Sequence, residues 1–194
     1  MGKTAFVFSG QGDQFPGMGK ELYYRYEDAR RMFHLFDRVR PGTSGQCFFG
    51  TAEELKVTAN TQPCLFAMEI AAAEVLKAQR ILPDAVAGFS LGEVAACTFA
   101  GMFPPEQGFT LTIIRGRLME EAAAGCPSFM GAVLRLDRRK VEEICREFEQ
   151  VYPVNYNCPG QLTVAAAAEE FKDFFLSGMR LEKPLFFELL AFFM

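Results

Sequence analysis

Histidine, tryptophan and paired cysteines are scarce or absent in this chain of 194 residues. The sequence contains one histidine, His34, and no tryptophan. Its six cysteines are Cys47, Cys64, Cys97, Cys126, Cys145 and Cys158. No two of them form a C-x-x-C pair, and a single histidine leaves little for a mixed zinc site. We therefore expect no metal site and no cofactor.

The chain also lacks a basic excess and a long apolar run. Its formal net charge is -4, which argues against non-specific binding to nucleic acid, since that needs a basic field. No apolar run approaches the ~20 residues of a membrane helix, and Leu185–Met194, the most apolar tract, carries Glu188. No secretory signal is visible. We expect no membrane partner and a cytoplasmic location.

The first two thirds of the chain alternate strand-like and helix-like segments. Apolar runs at Thr4–Phe8 and Ala85–Gly88 predict two buried strands. Helices are predicted at Lys20–Val39, Ala52–Val57, Cys64–Arg80, Leu91–Ala100 and Glu106–Ala124. Pro41–Gly45 is a predicted turn, and Gln62-Pro63 can open the third helix at its first turn. This alternation favours a parallel sheet.

The pattern changes after a boundary at Gly125–Pro127. Strands are predicted at Phe129–Leu136, Val151–Tyr156, Gln161–Ala166 and Pro184–Leu190, and helices at Asp137–Gln150 and Glu169–Gly178. The order βαββαβ is that of a ferredoxin-like unit. We therefore expect two subdomains, residues 1–125 and 126–194.

Gly88–Gly92 reads G-F-S-L-G, a G-x-S-x-G motif between a predicted strand and a predicted helix. A serine on such a sharp turn projects its hydroxyl from the sheet, and flanking side chains would crowd the turn. The turn also leaves the Leu91 amide at the helix N-terminus, where it can donate to a developing oxyanion. The motif predicts a nucleophile at Ser90. The alternative is a glycine-bounded turn in which Ser90 caps the helix.

Two further features can contribute to a site. The loop Phe8–Gly12 follows the first strand but lacks the pattern of a phosphate-binding loop. Its glycines allow it either to aim a backbone amide into a crevice or simply to turn the chain. Arg115 lies among apolar residues of a predicted helix, where it either binds an anion such as a carboxylate or extends to the surface.

Four ordered motifs resemble those of malonyl-CoA:acyl-carrier-protein transacylases and related acyltransferase domains of fatty-acid and polyketide synthases. They are Phe8–Gly19, Gln62-Pro63 with Gly88–Glu93, Arg115–Met119 and Asn155–Gln161. The resemblance covers nearly the whole chain. It implies an α/β-hydrolase-like large subdomain with a ferredoxin-like small one, and transfer of malonyl from coenzyme A to an acyl carrier protein.

The resemblance also implies residue roles. Ser90 is similar to the family's nucleophile, and the amides of Gln11 and Leu91 are similar to its oxyanion hole. Arg115 resembles the residue that binds the free carboxylate of malonyl. The implied partners are malonyl-CoA and the phosphopantetheine thiol of acyl carrier protein.

The chain departs from the family at two places. Phe89 stands where many members have histidine. The family's general-base histidine would fall at Phe192 or Phe193, and the chain ends there, before the family's last segment of the large subdomain. Serine is a poor nucleophile without a base. His34 lies far from the motifs in sequence, and Glu93 is more simply an acidic residue in a helix first turn.

Other interpretations follow from that ending. One is a catalytically impaired chain that still binds acyl-CoA or a carrier protein, with a basic contact through Arg135, Arg138, Arg139 and Lys140. Another is a generic serine esterase, against which Arg115 and the Gln11 loop argue. A large subdomain without its returning segment would expose apolar surface, so an oligomer is a further expectation.

Overall fold

The computed structural model describes residues 2–125, 127–179 and 186–188, and their fold is mixed α/β, as predicted. The chain divides into two compact units, Met1–Glu120 and Glu121–Met194. Among the helices of the described residues, none is long and apolar enough to cross a membrane.

The first unit is built on two short strands, β1 (Ala5–Phe8) and β2 (Ala85–Gly88). Its helices are α1 (Lys20–Arg25), α2 (Glu27–Val39), α3 (Thr43–Phe49), α4 (Ala52–Lys56), α5 (Thr58–Ala78), α6 (Leu91–Phe99) and α7 (Pro105–Gly125), the last of which continues past the unit boundary. The two strands are parallel, as the sequence predicted, and Phe8 lies opposite Gly88. Both strands therefore end at the same edge of the sheet.

Helix α5 is buried on most of its circumference and forms the centre of this unit. Its Phe66 packs against Phe36 of α2, and Phe36 stacks on Phe109 of α7 with ring centroids 4.6 Å apart. All three rings are fully buried, and burial of each side chain stabilises the fold by roughly 1.5–3 kcal/mol. This packing fixes α5 and α7, the two helices that carry Gln62 and Arg115.

The predicted helix Lys20–Val39 is two helices separated at Tyr26. That residue has an extended backbone, with φ -125° and ψ 130°. Its N–H still bonds to the carbonyl oxygen of Leu22, and its own carbonyl accepts from Arg30. Tyr26 thus separates α1 from α2. The sequence did not predict this break, because Tyr26 is not a helix-breaking residue.

The segment predicted as a turn at Pro41–Gly45 leads directly into α3. Gly42 has φ 87°, and the helix begins at the next residue. Asp37 accepts hydrogen bonds from the backbone N–H and the hydroxyl of Ser44, which hold the first turn. Cys47 and Phe48 are buried, so tertiary packing outweighs the local turn composition.

The third predicted helix begins earlier than expected. Helix α5 starts at Thr58 and includes Pro63 in its interior rather than in its first turn. The hydroxyl of Thr61 donates to the carbonyl oxygens of Leu55 and Val57 and links the end of α4 to this start. The prediction for Gln62-Pro63 as the helix opening was therefore wrong.

The second unit has the predicted order of strands and helices. It consists of β3 (Ser128–Leu134), α8 (Arg138–Cys145), β4 (Val151–Cys158), β5 (Gln161–Ala167), α9 (Ala168–Met179) and β6 (Phe186–Glu188). The strands form an antiparallel sheet in the order β4-β5-β3-β6. Helix α8 ends at Cys145, before the predicted Gln150, because Glu147 and Phe148 donate to carbonyls three residues back and close tight turns.

Candidate active site

The common edge of β1 and β2 brings two loops together. The loop that carries Gln11 follows Phe8, and the turn that carries Ser90 follows Gly88. The N–H of Phe89 donates to the carbonyl oxygen of Phe8 over 3.1 Å, which joins the two loops directly. The edge beyond the carboxyl ends of parallel strands is where α/β folds bind ligands, and both predicted loops lie there.

The turn at Ser90 has the geometry of a nucleophile elbow. Ser90 has φ 55° and ψ -102°, a backbone conformation that side-chain-bearing residues rarely adopt. A Cβ atom at Gly88 would lie closer than 3.0 Å to the carbonyl of Gly92, and one at Gly92 would lie 2.5 Å from the carbonyl oxygen of Ser9. Both flanking positions therefore need glycine, as the motif predicted.

Ser90 is half-buried and its side chain does not cap α6. The Ser90 hydroxyl instead accepts a hydrogen bond of 2.9 Å from Nη2 of Arg115. The interpretation of Ser90 as a simple helix cap is therefore wrong, because the capping hydrogen bond is not formed. Its hydroxyl remains directed toward a cation contributed by another helix.

Gln62 holds the other side of the Arg115 guanidinium. Nη1 of Arg115 donates to Oε1 of Gln62 over 2.5 Å. The amide of Gln62 donates to Oε1 of Gln11 over 3.0 Å, and the amide of Gln11 donates to the hydroxyl of Thr58 over 3.2 Å. Gln62 is fully buried. A continuous chain of hydrogen bonds thus runs from Ser90 to the loop after β1.

Arg115 reaches Ser90 because α7 approaches α5 closely at the next residue. A Cβ atom at Gly116 would lie 3.0 Å from the carbonyl oxygen of Thr58 and 3.1 Å from the side chain of Gln62. Burial lowers the pKa of the Arg115 guanidinium, and the charge of Glu93 opposes that change. Arginine remains protonated in proteins, so the site presents a partly desolvated cation.

Two backbone amides lie where the sequence predicts an oxyanion hole. Leu91 is the first residue of α6, and the first N–H groups of a helix have no partner within it. Gln11 follows Gly10 in the loop after β1. Within the described residues, neither amide N–H donates to a protein acceptor. Both N–H groups are therefore unoccupied by the described part of the chain, although Leu91 is fully buried, and they belong to the two loops that Phe8 and Phe89 join.

Glu69 is a site residue that the sequence did not suggest. It lies on α5 and is 6% exposed, and its Oε1 accepts hydrogen bonds of 2.5 Å from the Ser9 N–H and 2.8 Å from the Ser9 hydroxyl. Burial raises the pKa of the Glu69 carboxyl to about 7, although the bonds from Ser9 oppose the shift. No sequence motif marks it, because its partner is 60 residues away.

The residues considered as a base are not bonded to Ser90. The ring of His34 contacts Tyr23, whose hydroxyl lies 3.3 Å from Nε2, and no hydrogen bond among the described residues joins His34 to Ser90. Glu93 is exposed in the first turn of α6, as expected for an acidic residue near a helix N-terminus. Phe192 and Phe193, the expected place of the family's histidine, lie outside the described residues.

The basic residues predicted as a carrier contact lie around the start of α8. Arg138, Arg139 and Lys140 form its exposed first turn, and Lys140 pairs with Glu143 at 3.1 Å. Asp137 caps the helix by accepting from the Arg139 N–H. Within the described residues, no group of three or more histidine, cysteine or acidic side chains could hold a metal ion.

The chain is similar to known acyltransferases over most of its length. The model of the acyl transferase domain family matches residues 5–178. The chain is 38% identical over 174 residues to the malonyl CoA-acyl carrier protein transacylase of Bacillus subtilis, a match that covers 87% of this chain and 55% of the relative. It therefore spans about half the length of the curated relatives it matches.

Solved structures of malonyl-transacylases are also similar to this chain. The malonyl CoA-acyl carrier protein transacylase of Clostridium perfringens matches with a TM-score of 0.89 and 27% identity, over 98% of this chain and 61% of its own. A malonyl-transacylase solved in complex with its type II PKS acyl-carrier protein matches with a TM-score of 0.82 and 32% identity, over 89% of this chain and 58% of its own.

Proposed function

Because the chain belongs to the acyl transferase domain family, we propose that it carries the acyl-binding and nucleophile portion of a malonyl-CoA:acyl-carrier-protein transacylase. The observation that carries this proposal is the 2.9 Å hydrogen bond from Arg115 to the Ser90 hydroxyl. A cation at that distance from a nucleophile suits an acyl group with a negative charge at its far end. The partners are malonyl-CoA and acyl carrier protein, in fatty-acid or polyketide synthesis.

The proposed reaction has two half-reactions through an ester on Ser90. In the first, the Ser90 oxygen attacks the thioester carbonyl carbon of malonyl-CoA, its proton passes through solvent water to the departing sulfur, and the carbon–sulfur bond breaks to release the coenzyme A thiol. In the second, the phosphopantetheine thiol of the carrier attacks the ester and restores the Ser90 hydroxyl. The carrier leaves as the malonyl thioester.

The oxyanion of each tetrahedral intermediate is assigned to the amides of Gln11 and Leu91. Preorganised backbone donors are among the largest contributions to acyl transfer, and removal of one such donor costs roughly a hundred- to a thousand-fold in turnover. Neither amide is occupied by another acceptor in the described part of the chain. The strained backbone of Ser90 supports the same assignment, since it places the hydroxyl and the Leu91 amide on one turn.

Arg115 is assigned to the free carboxylate of malonyl. Its planar guanidinium can bind a carboxylate through two parallel N–H donors. In the unbound chain Ser90 accepts from Nη2 and Gln62 accepts from Nη1, and each of these nitrogens carries two N–H groups. Malonyl would replace the Ser90 contact, which frees the hydroxyl for attack, while Gln62 keeps the guanidinium in place. Acetyl has no carboxylate to make this exchange.

The fold supports a finer description of the two units. We assign residues 1–125 to an α/β-hydrolase-like large subdomain and residues 126–194 to a ferredoxin-like small one. The parallel pair β1-β2 with its elbow suits the former, and the antiparallel order β4-β5-β3-β6 suits the latter.

Incubation with malonyl-CoA tests the proposal. Intact mass spectrometry after an acid quench is expected to find a malonyl adduct on the parent chain and none on Ser90→Ala. Acetyl-CoA at equal concentration should give much less adduct. If the parent stays unmodified, this chain is not a competent transacylase. If a simple neutral ester is turned over and Arg115→Ala leaves that rate unchanged, a generic esterase replaces the proposal.

A further inference from the structure

Helix α5 holds the loop after β1 at two points. Gln62 and Glu69 are seven residues apart, about two helical turns, so they share one face of the helix. Gln62 bonds to the side chain of Gln11, and Glu69 bonds twice to Ser9. Both anchors are buried. Gly10, between the two anchored residues, packs against Phe89, since a Cβ there would lie 2.6 Å from the Phe89 ring.

The Ser9 anchor also contacts the elbow. The carbonyl oxygen of Ser9 lies where a Cβ at Gly92 would meet it at 2.5 Å. Ser9 is therefore enclosed between the Glu69 carboxyl on one side and the first turn of α6 on the other. A displacement of Ser9 would move Gln11, two residues along, relative to the turn that holds Ser90.

The Glu69 carboxyl has an arrangement that hydrophobic packing alone does not explain. One oxygen accepts both bonds from Ser9, whereas Oε2 is buried and has no hydrogen-bond partner within the described residues. A buried polar atom without a partner lowers stability. The negative charge of Asp13 raises the pKa of Glu69 further, because it disfavours the ionised carboxylate. A carboxyl group that is buried, with one oxygen unpartnered within the described residues and the other bonded twice to Ser9, indicates a role in holding Ser9.

We propose that Glu69 is a positioning residue for the transacylation reaction: through Ser9 it fixes the Gln11 amide in the geometry that binds the oxyanion. This inference rests on the proposed function. Glu69 does not touch the reacting atoms, so it acts on the rate of acylation and not on the affinity for malonyl-CoA. The hydroxyl and the backbone N–H of Ser9 each donate one hydrogen bond to Oε1 of Glu69.

Three variants separate this role from simple packing. Glu69→Gln keeps an oxygen that can accept from Ser9. Glu69→Leu removes the acceptor and keeps apolar bulk, and Ser9→Ala removes one of the two bonds without touching the helix. Glu74→Gln is the matched control, since Glu74 lies on the same helix and pairs with Lys77 at 3.1 Å.

The first measurement is amide hydrogen exchange of Ser9, which needs no turnover. Glu69→Leu should speed exchange at this amide about 10- to 100-fold, because both hydrogen bonds from Ser9 to Glu69 are lost. Ser9→Ala should have a smaller effect, and Glu69→Gln and Glu74→Gln should stay near the parent. Unchanged exchange in a folded Glu69→Leu variant would overturn the positioning role whatever the chain does with malonyl-CoA.

The second measurement is the rate of Ser90 acylation across malonyl-CoA concentrations. Glu69→Leu should lower the saturating rate about 10- to 100-fold, since a misplaced oxyanion donor acts on the transition state, with an unchanged half-saturating concentration. Glu69→Gln should recover most of the rate. A loss confined to affinity, or no recovery by glutamine, contradicts the inference. A parent chain that forms no adduct contradicts the proposed function instead, and hydrogen exchange then decides the role of Glu69 in holding the loop.

Discussion

Nη2 of Arg115 lies 2.9 Å from the hydroxyl oxygen of Ser90, although the two residues are 25 positions apart, one on the turn before α6 and the other on α7. The contact joins the side chain expected to react with the side chain expected to select the acyl group. We therefore expect replacement of Arg115 to discriminate most sharply between substrates.

Replacement of Arg115 by leucine should reduce acylation by malonyl-CoA about 10- to 100-fold, because a hydrogen-bonded charge partner for the malonyl carboxylate is lost. Acylation by acetyl-CoA should change much less, so the preference for malonyl falls. Parallel initial rates with the two thioesters measure the ratio. Arg117→Ala, an exposed position on the same helix, is the control; an equal loss with both thioesters would show that Arg115 does not select the acyl group.

Replacement of Gln62 by glutamate should weaken malonyl-CoA binding about tenfold or more. Oε1 of Gln62 now lies 2.5 Å from Nη1 of Arg115. A carboxylate at position 62 would therefore form an ion pair with Arg115 and compete with the substrate carboxylate. The half-saturating malonyl-CoA concentration measures the effect. Acetyl-CoA should be affected little, and tighter malonyl-CoA binding would contradict the assigned role of Gln62.

Replacement of Gly92 by alanine should lower the free energy of unfolding by roughly 1–3 kcal/mol or more, because the new methyl group overlaps the carbonyls of Phe8 and Ser9. Urea denaturation measures the change. Gly45→Ala is the matched control: it lies in α3, a Cβ there meets nothing within 4 Å, and alanine should stabilise the helix by about 0.5–1 kcal/mol. Equal stability of the two variants would argue against the tight elbow.

The pKa of Glu69 predicts how stability depends on pH. Its folded value of about 7 is raised from 4.5 by burial, so the folded chain binds the proton more tightly than the unfolded chain. Its contribution is complete below pH 4.5 and is lost as pH rises to about 7, on the order of 3 kcal/mol in total. Urea denaturation of the parent and of Glu69→Gln, measured between pH 4.5 and pH 7, isolates the contribution of Glu69 to the free energy of unfolding. Parallel pH curves for the two would refute the shift, and Glu74→Gln should follow the parent.

The sequence predicted the elbow well because its causes are local. Glycine is needed at position 88 by contacts within the five-residue turn, and the strand before it and the helix after it have clear apolar patterns. The same motif marks Gly92, although the contacts that require glycine there come from Phe8 and Ser9. The order of strands and helices along the second unit follows equally from short alternating segments. These features depend on neighbours in the chain, which a pattern can represent.

The parts that the sequence did not predict depend on distant contacts. Gln62 was part of a motif, but its bonds to Arg115 and Gln11 span 53 and 51 residues. Glu69 lies within a predicted helix, and no motif marks it. The start of α3 at Thr43 depends on burial of Cys47 and Phe48, which outweighs a turn-like composition.

The left-handed backbone at Ser90 has a consequence for engineering. A non-glycine residue in such a conformation costs of order 1–3 kcal/mol, and glycine would adopt φ 55° without that cost. Selection of variants by melting temperature alone would therefore favour loss of the hydroxyl. Any stabilised form of this chain has to be chosen with an acylation assay applied at every round.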